Sequence, residues 1–369
     1  MIMTSFKILV TGVTGYIGGS VLQQLLTSEL HEIQQCSIDV LTRDDSRADV
    51  FTSDKRIGKA YRIKDLDDTE VITQAASQCD IVINCGPGYH EASARALIEG
   101  LACRKKSVER QGKGEAQVYY IHTDGTSNLS SSSPEGRIYS DKDADIHEEL
   151  QKLNAGFEYP QRTVALSVVE SGLAQSVPTT IIMSPTIIGL GSGSFNRLTV
   201  QYPIIMRAAL KDGHVSYVGD GSGSCRFVHI QDLARLYELT VADSASDRRN
   251  LPTGERGIVF SAAGGYTWKE AAEAIAMAGH DLGALQENTP KSVSLEEASR
   301  AWNVPSHWCE MGFAASQRTK AEIAKVALGW TPMQNRTEHW RRAVVEEFAE
   351  VVKQLQEGKT GRDWNEEKI

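Results

Sequence analysis

Three glycines, Gly12, Gly15 and Gly18, lie in the run Thr11-Gly12-Val13-Thr14-Gly15-Tyr16-Ile17-Gly18, between a β-branched segment and an apolar-periodic one. In a strand–turn–helix context each has a separate use. Gly12 permits the tight turn, Gly15 lets the backbone come close to a pyrophosphate, and Gly18 lets the helix lie against the sheet. The free amides near Tyr16 and Ile17, with Thr14 in the turn and the positive end of the helix, then face a diphosphate anion. The anion this pattern takes is that of a dinucleotide.

Further residues extend the seat. Leu41-Thr42-Arg43 ends the second strand, where Arg43 can pair bidentately with a 2′-phosphate, so NADP(H) is favoured over NAD(H), although Asp44 and Asp45 follow at once. Asp65 after the third strand either accepts from an adenine amino group, with Leu66 packed on the ring, or caps the next helix. Cys85 and Gly86 after the fourth strand leave room for a ribose or nicotinamide, and Pro185, Thr186 and Ile187 mark where a nicotinamide would lie above the sixth strand. For proton transfer, the strand-end run His122-Thr123-Asp124 offers a hydroxyl at Thr123 or a carboxyl at Asp124, with His122 either a donor or a hydrogen-bonded core residue. There is no H-E-x-x-H or G-x-S-x-G spacing, so neither a metal site nor a serine nucleophile is expected.

The elements that must hold these residues alternate. Strands are expected at Phe6–Val10, Ser37–Thr42, Tyr61–Lys64, Asp80–Asn84, Gln117–Ile121, Thr179–Met183 and Ile258–Phe260, with helical segments between most of them, which implies a parallel sheet covered on both faces. The polar run Thr126–Glu158, with its serines and acids, reads as an exposed excursion. Asp232 reads as the N-cap of a helix from Leu233 to Leu239. The fold class is α/β, a Rossmann doubly wound sheet with a smaller, mostly helical C-terminal substrate domain. The first unit is expected over 1–188 plus about 225–262, the second over about 189–224 plus 263–369. Trp302, Trp308, Cys309, Met311 and Phe313 form an apolar cluster in the second unit, either core or the lining of a hydrophobic pocket.

With 369 residues, 41% of them hydrophobic, the chain can bury a substantial core, and its net charge of −9 argues against nucleic acid and anionic membrane surfaces as partners. No apolar run is long enough for a membrane helix, and the first residues lack the pattern of a signal peptide. Six cysteines without C-x-x-C pairing read as reduced core residues, so a cytoplasmic protein is expected. The tail from Gly361 to Ile369 is expected to fray.

The markers TGVTGYIGG (Thr11–Gly19), KDLDD (Lys64–Asp68), PTIIG (Pro185–Gly189), FVHIQDLARLY (Phe227–Tyr237) and LGWTP (Leu328–Pro332) come in one order along the chain. Together they resemble the extended or atypical short-chain dehydrogenase/reductases, near the NmrA-like and epimerase/dehydratase branches. The resemblance implies NAD(P) in a Rossmann domain, a homodimer through two helices per subunit, and a Tyr-x-x-x-Lys pair that moves a proton. In the register it implies, the tyrosine is Tyr159, but Thr163 stands where the lysine would. Arg162, about 100° round a regular helix, would point away. The expected function is an NADPH-dependent oxidoreductase acting on a small or medium hydrophobic carbonyl, enone or imine. The alternatives are a dinucleotide-sensing regulator without turnover, or a non-redox lyase, isomerase or cyclase on the same scaffold.

Overall fold

In the computed structural model, which describes residues 6–43, 45–111, 117–133, 135–246 and 249–359, seven strands form one parallel sheet. In chain order they are β1 (Lys7–Thr11), β2 (Ser37–Thr42), β3 (Ile57–Arg62), β4 (Ile81–Asn84), β5 (Tyr119–Gly125), β6 (Thr179–Ser184) and β7 (Ile258–Phe260), arranged β7-β6-β5-β4-β1-β2-β3. Strand order reverses between β1 and β4, which opens a crevice at the carboxyl ends of those two strands. Ile8, Leu9 and Val10 of β1 and Ile81, Val82 and Ile83 of β4 are all fully buried. Such unbroken apolar runs are what a sheet covered on both faces requires. Helix α1 (Tyr16–Leu26) and the helix Ile230–Ser244 pack together on one face, while Thr69–Ala76, Glu91–Arg110 and Pro160–Gln175 form the other layer. Asp44, the side chain of Asp45 and the tail 361–369 lie outside the described residues. No helix of the described residues is long and apolar enough to cross a membrane.

Four local expectations change. The third strand, expected at Tyr61–Lys64, lies earlier, at Ile57–Arg62. β5 runs on to Gly125, so His122, Thr123 and Asp124 belong to the strand and alternate between its faces. The excursion at 126–158 is largely structural: Leu129, Tyr139, Ile146 and Leu150 are buried. Its acid Asp141 accepts from the backbone amides of Phe260 (3.0 Å), Glu322 (2.8 Å) and Ile323 (3.1 Å). Asp141 thus serves buried amides, while Arg137, Lys142 and Glu148 of the same stretch face solvent. The helix expected from Leu233 starts at Ile230, with His229 as N-cap through Nδ1 and the Gln231 amide (3.3 Å). Asp232 lies inside its first turn and accepts from the amides of Met333 and Gln334, each at 2.8 Å.

A second core gathers Tyr202, Phe227, Tyr266, Trp268, Trp340 and Phe348 around a small sheet formed by Thr186–Ile188, Ser224–His229 and Gly264–Thr267. Tyr266 and Trp340 stack nearly parallel, with ring centroids 5.2 Å apart. Ala321, Ile323, Ala324 and Trp330 return to the first core, interrupting the second unit as read from the sequence.

Gly189 joins the two cores. Its amide donates to Glu347 Oε1 (2.6 Å), its carbonyl accepts from Tyr16 OH (2.6 Å), and its φ of +89° suits glycine. A Cβ there would lie 2.2 Å from His229 Nε2. Glu347 is completely buried, and burial pushes its carboxyl up to about 8. The folded chain thus holds a proton that the unfolded chain releases above its ordinary value of 4.5. The stabilisation this gives is complete below that value and is lost as pH rises through about 8. Glu347→Gln keeps the acceptor for the Gly189 amide. Its melting temperature, followed from about pH 5 to about pH 9, should decline less on the alkaline side than that of the wild type.

Candidate active site

At the start of α1 the backbone is shaped by close approach. Gly12 has φ +68°, and a Cβ on it would stand 2.2 Å from the Cys85 carbonyl oxygen; one on Gly18 would stand 2.3 Å from the Gly12 oxygen. A Cβ on Gly15 would meet, among the described residues beyond its chain neighbours, the Gly12 oxygen alone within 4 Å, at 3.1 Å, which leaves the outer side of the turn open to a ligand. Gly19 N–H makes the first bond into the helix, to the Gly15 oxygen at 2.9 Å, so the amides of Tyr16, Ile17 and Gly18 precede the ladder at the positive end of the helix. These residues fit a diphosphate. The Tyr16 ring itself turns away to Gly189. The loop from Gly189 to Arg197 passes over the seat, its Asn196 amide on the Thr14 carbonyl at 3.3 Å.

Beside the seat runs a cleft with Gly12, Thr14 and Gly86 on its floor, apolar walls of Leu41, Ile63 and Leu66, and Arg43 exposed at its rim. Asp65 does not line it: its Oδ1 accepts the Asp67 amide at 3.0 Å, and the N-cap of the next helix is Asp68. Cys85 does not line it either: its carbonyl lies against Gly12, burial pushes its thiol up to about 12, and its sulfur accepts from Thr123 Oγ1 at 3.4 Å. Asn84, which sequence reasoning passed over, ties the floor together. Its Oδ1 accepts from Thr11 Oγ1 (2.7 Å) and the Gly86 amide (3.1 Å), and its Nδ2 donates to Tyr120 OH (3.0 Å). Pro185, Thr186 and Ile187 carry the chain from the end of β6 into the small sheet, Thr186 in register with Phe227.

The residues expected to move a proton are only partly brought together. Thr123 faces the helix Ile230–Ser244, its hydroxyl 2.6 Å from Tyr237 OH and turned from the expected cleft. Asp124 is buried, with Oδ1 on the Gly125 amide and Oδ2 on Asn128 Nδ2, each at 2.7 Å; burial raises its pKa against those bonds and the nearby Arg162 charge. His122 is fully buried and pushed down to about 4, which makes it a neutral core imidazole, not a proton donor at neutral pH.

Tyr159 is the N-cap of Pro160–Gln175, in extended conformation (φ −122°, ψ 117°). Its hydroxyl lies 3.2 Å from Ser127 Oγ and 3.3 Å from Gln161 Oε1, and Ser127 Oγ lies 3.2 Å from that same Gln161 oxygen. Cβ atoms on Gly88 and Gly125 would come within 3.5 and 3.3 Å of Gln161 Nε2, which puts the cluster at the carboxyl ends of β4 and β5. Because Tyr159 precedes the helix, the helical offset to Arg162 does not apply. The guanidinium carbon sits 5.6 Å from the phenol ring centroid, held by Nε on the Asn128 carbonyl (2.9 Å) and Nη1 on that of Phe157 (3.0 Å). Burial raises the Tyr159 pKa, with Ser127 and Arg162 opposing it. Thr163 Oγ1 only accepts from Asn154 (3.1 Å). Trp308 covers the phenol at 5.0 Å between ring centroids, whereas Trp302, Cys309 and Phe313 are core. Ser127 and Gln161 carried no spacing signal; their roles come from a turn and a helix start meeting in space.

Residues 8–251 match the NAD dependent epimerase/dehydratase family. The chain is 26% identical over 342 residues to oxidase ucsJ of an Acremonium species, covering 89% of this chain and 93% of that protein. It is 27% identical over 254 residues to an uncharacterized protein of Saccharomyces cerevisiae, covering 69% and 76%. Among solved structures, a double mutant of dTDP-glucose 4,6-dehydratase from Streptomyces venezuelae with NAD bound aligns with TM-score 0.64 at 14% identity, over 95% of this chain and 98% of that one. UDP-glucuronic acid 4-epimerase from Bacillus cereus, in complex with UDP-glucuronic acid and NAD, aligns with TM-score 0.61 at 15% identity, over 95% and 99%. Both structures share the fold.

Gly12→Ala tests the close approach directly. Overpacking against the Cys85 carbonyl should destabilise the chain by about 1–3 kcal/mol in a denaturant titration, and dinucleotide binding should weaken with it.

Proposed function

The chain belongs to the NAD dependent epimerase/dehydratase family, and on that premise we propose that it is an oxidoreductase using NADP(H) in preference to NAD(H), acting on a small or medium hydrophobic carbonyl, enone or imine compound. The observation that carries the reading is the cluster of Tyr159, Ser127 and Gln161 at the carboxyl ends of β4 and β5, with the Arg162 guanidinium beside the phenol and Trp308 over it. The oxidase among its relatives supports redox chemistry. Arg43 at the rim of the base-shaped cleft supports the 2′-phosphate.

When bound, the dinucleotide supplies or accepts a hydride at its nicotinamide ring. The α1 amides and Arg43 hold its phosphates, and Leu41, Ile63 and Leu66 flank its base. Tyr159 then holds the proton at the substrate oxygen or nitrogen. A phenol with a raised pKa keeps its proton at neutral pH, which suits reduction, because the alkoxide that forms on hydride arrival is a much stronger base than phenolate. Ser127 orients the phenol, and the fixed charge of Arg162 offsets part of the burial effect where a lysine is missing. Trp308 excludes water and presents an apolar face to the substrate.

Two observations favour a second reading, a dinucleotide-binding regulator without turnover: the Thr123 hydroxyl is taken up by Tyr237, and Thr163 carries no charge. NADPH consumption against a panel of carbonyl, enone and imine compounds separates the two; conversion of a compound with no net change in NADPH would instead point to a lyase or isomerase. Arg43→Ala should weaken NADPH about tenfold or more while changing NADH little, and equal losses would remove the coenzyme preference. Tyr159→Phe should lower kcat about a hundredfold or more with coenzyme affinity unchanged; an unaltered kcat would take the proton away from that phenol.

A further inference from the structure

Beyond β7, at the sheet edge far from the dinucleotide seat, the structure has a cleft of about 300 Å³ lined in part by Arg226, Gly264, Thr319, Lys320, Glu322 and Lys325. Its position follows from the strands. Cys225 and Phe227 are buried in the second core, so Arg226 between them projects from the opposite face of its strand. The short strand Thr319–Lys320 is paired with Tyr139–Ser140, and Asp141 fastens the next turn to the end of β7 through the amides of Glu322 and Phe260. β7 stands four strands from β1, roughly 19 Å at the usual strand spacing, which separates this cleft from the glycine turn.

The charges here do not cancel. Glu322 is engaged by Ser140 Oγ at 2.5 Å and by Lys142 Nζ at 3.8 Å. Among the described residues, Arg226, Lys320 and Lys325 make no ion pair within 4 Å, leaving three cations around one occupied carboxylate in a chain whose net charge is −9. Thr319 lines the same cleft, and its buried hydroxyl has no hydrogen-bond partner among the described residues. A buried hydroxyl left without a partner costs free energy that a ligand acceptor would recover.

We propose that Arg226, Thr319, Lys320 and Lys325 form a binding site for a small oxyanion, a phosphate or carboxylate group, distinct from the diphosphate seat. The guanidinium offers a planar fork of donors, the two ammonium groups supply point charges, and the hydroxyl supplies one short donor, a set that matches the several acceptor oxygens of such a group. Gly264 borders the cleft with its backbone, since a Cβ on it would stand 2.2 Å from the Phe227 ring on the side of the second core.

Isothermal titration of the full chain with inorganic phosphate, and separately with succinate, tests this. Saturable binding of at least one of the two is expected, weakened about tenfold or more in the double variant Arg226→Gln/Lys325→Gln. Thermal melts of the variant check its fold. Lys320→Gln, at an exposed position, reads the same loss of affinity if the double variant fails to fold. Absence of saturable binding for both anions would overturn the proposal. So would equal binding by wild type and variants, which would put the anion at the glycine turn.

Discussion

The contact on which the rest depends is the approach of the Gly12 backbone to the Cys85 carbonyl, a distance that leaves no room for a side chain. It brings the turn after β1 against the end of β4, where strand order reverses, and so aims the first amides of α1 into the crevice. Gly18 completes the same packing against the Gly12 oxygen. Because the amides precede the helical ladder, they need an acceptor from outside the chain, and the open side of Gly15 admits one. The cleft walls, the Asn84 network and the loop from Gly189 are all arranged around that crevice.

A second constraint acts on charge. The Arg162 guanidinium is buried beneath Tyr159 and beside Asp124, and two backbone carbonyls, of Asn128 and Phe157, hold it in place. A buried cation with neutral acceptors and no carboxylate in a tight ion pair keeps its field available to its neighbours. That field acts against the burial of both the phenol and the Asp124 carboxyl. The family's usual lysine is absent from the Tyr159 helix, and the nearest positive charge comes from the residue one position before it. The basic cleft beyond β7 shows a related device in the open, with cations gathered where only one carboxylate answers them.

Local pattern and tertiary contact divided the work unevenly along the chain. The continuous apolar runs of β1 and β4 and the glycine spacing were readable because each rests on near neighbours in sequence: period, turn and helix start. Leu66, Arg43 and Gly86 followed from their place just after strands. The excursion 126–158 is exposed over much of its length as read, but its anchors Leu129, Tyr139, Asp141, Ile146 and Leu150 were missed, because an acid serves buried amides as readily as it serves water and nothing local distinguishes the two uses. Asp232 was misplaced as a cap for the same reason, its partners Met333 and Gln334 being about a hundred residues away.

By itself the sequence determined the α/β class, the glycine turn between a strand and a helix at Thr11–Gly18 and the absence of a lysine at 163, all of which are properties of residue type and short spacing. Only the tertiary structure decided which side chains meet around the Tyr159 hydroxyl. The alternation of β5 sends Thr123 to Tyr237, and the extended conformation of Tyr159 swings Arg162 beneath its ring. Ser127 and Gln161 join it there because a turn after one strand and the start of a later helix converge. Such convergence depends on the packing of elements far apart in the chain, and no local periodicity encodes it.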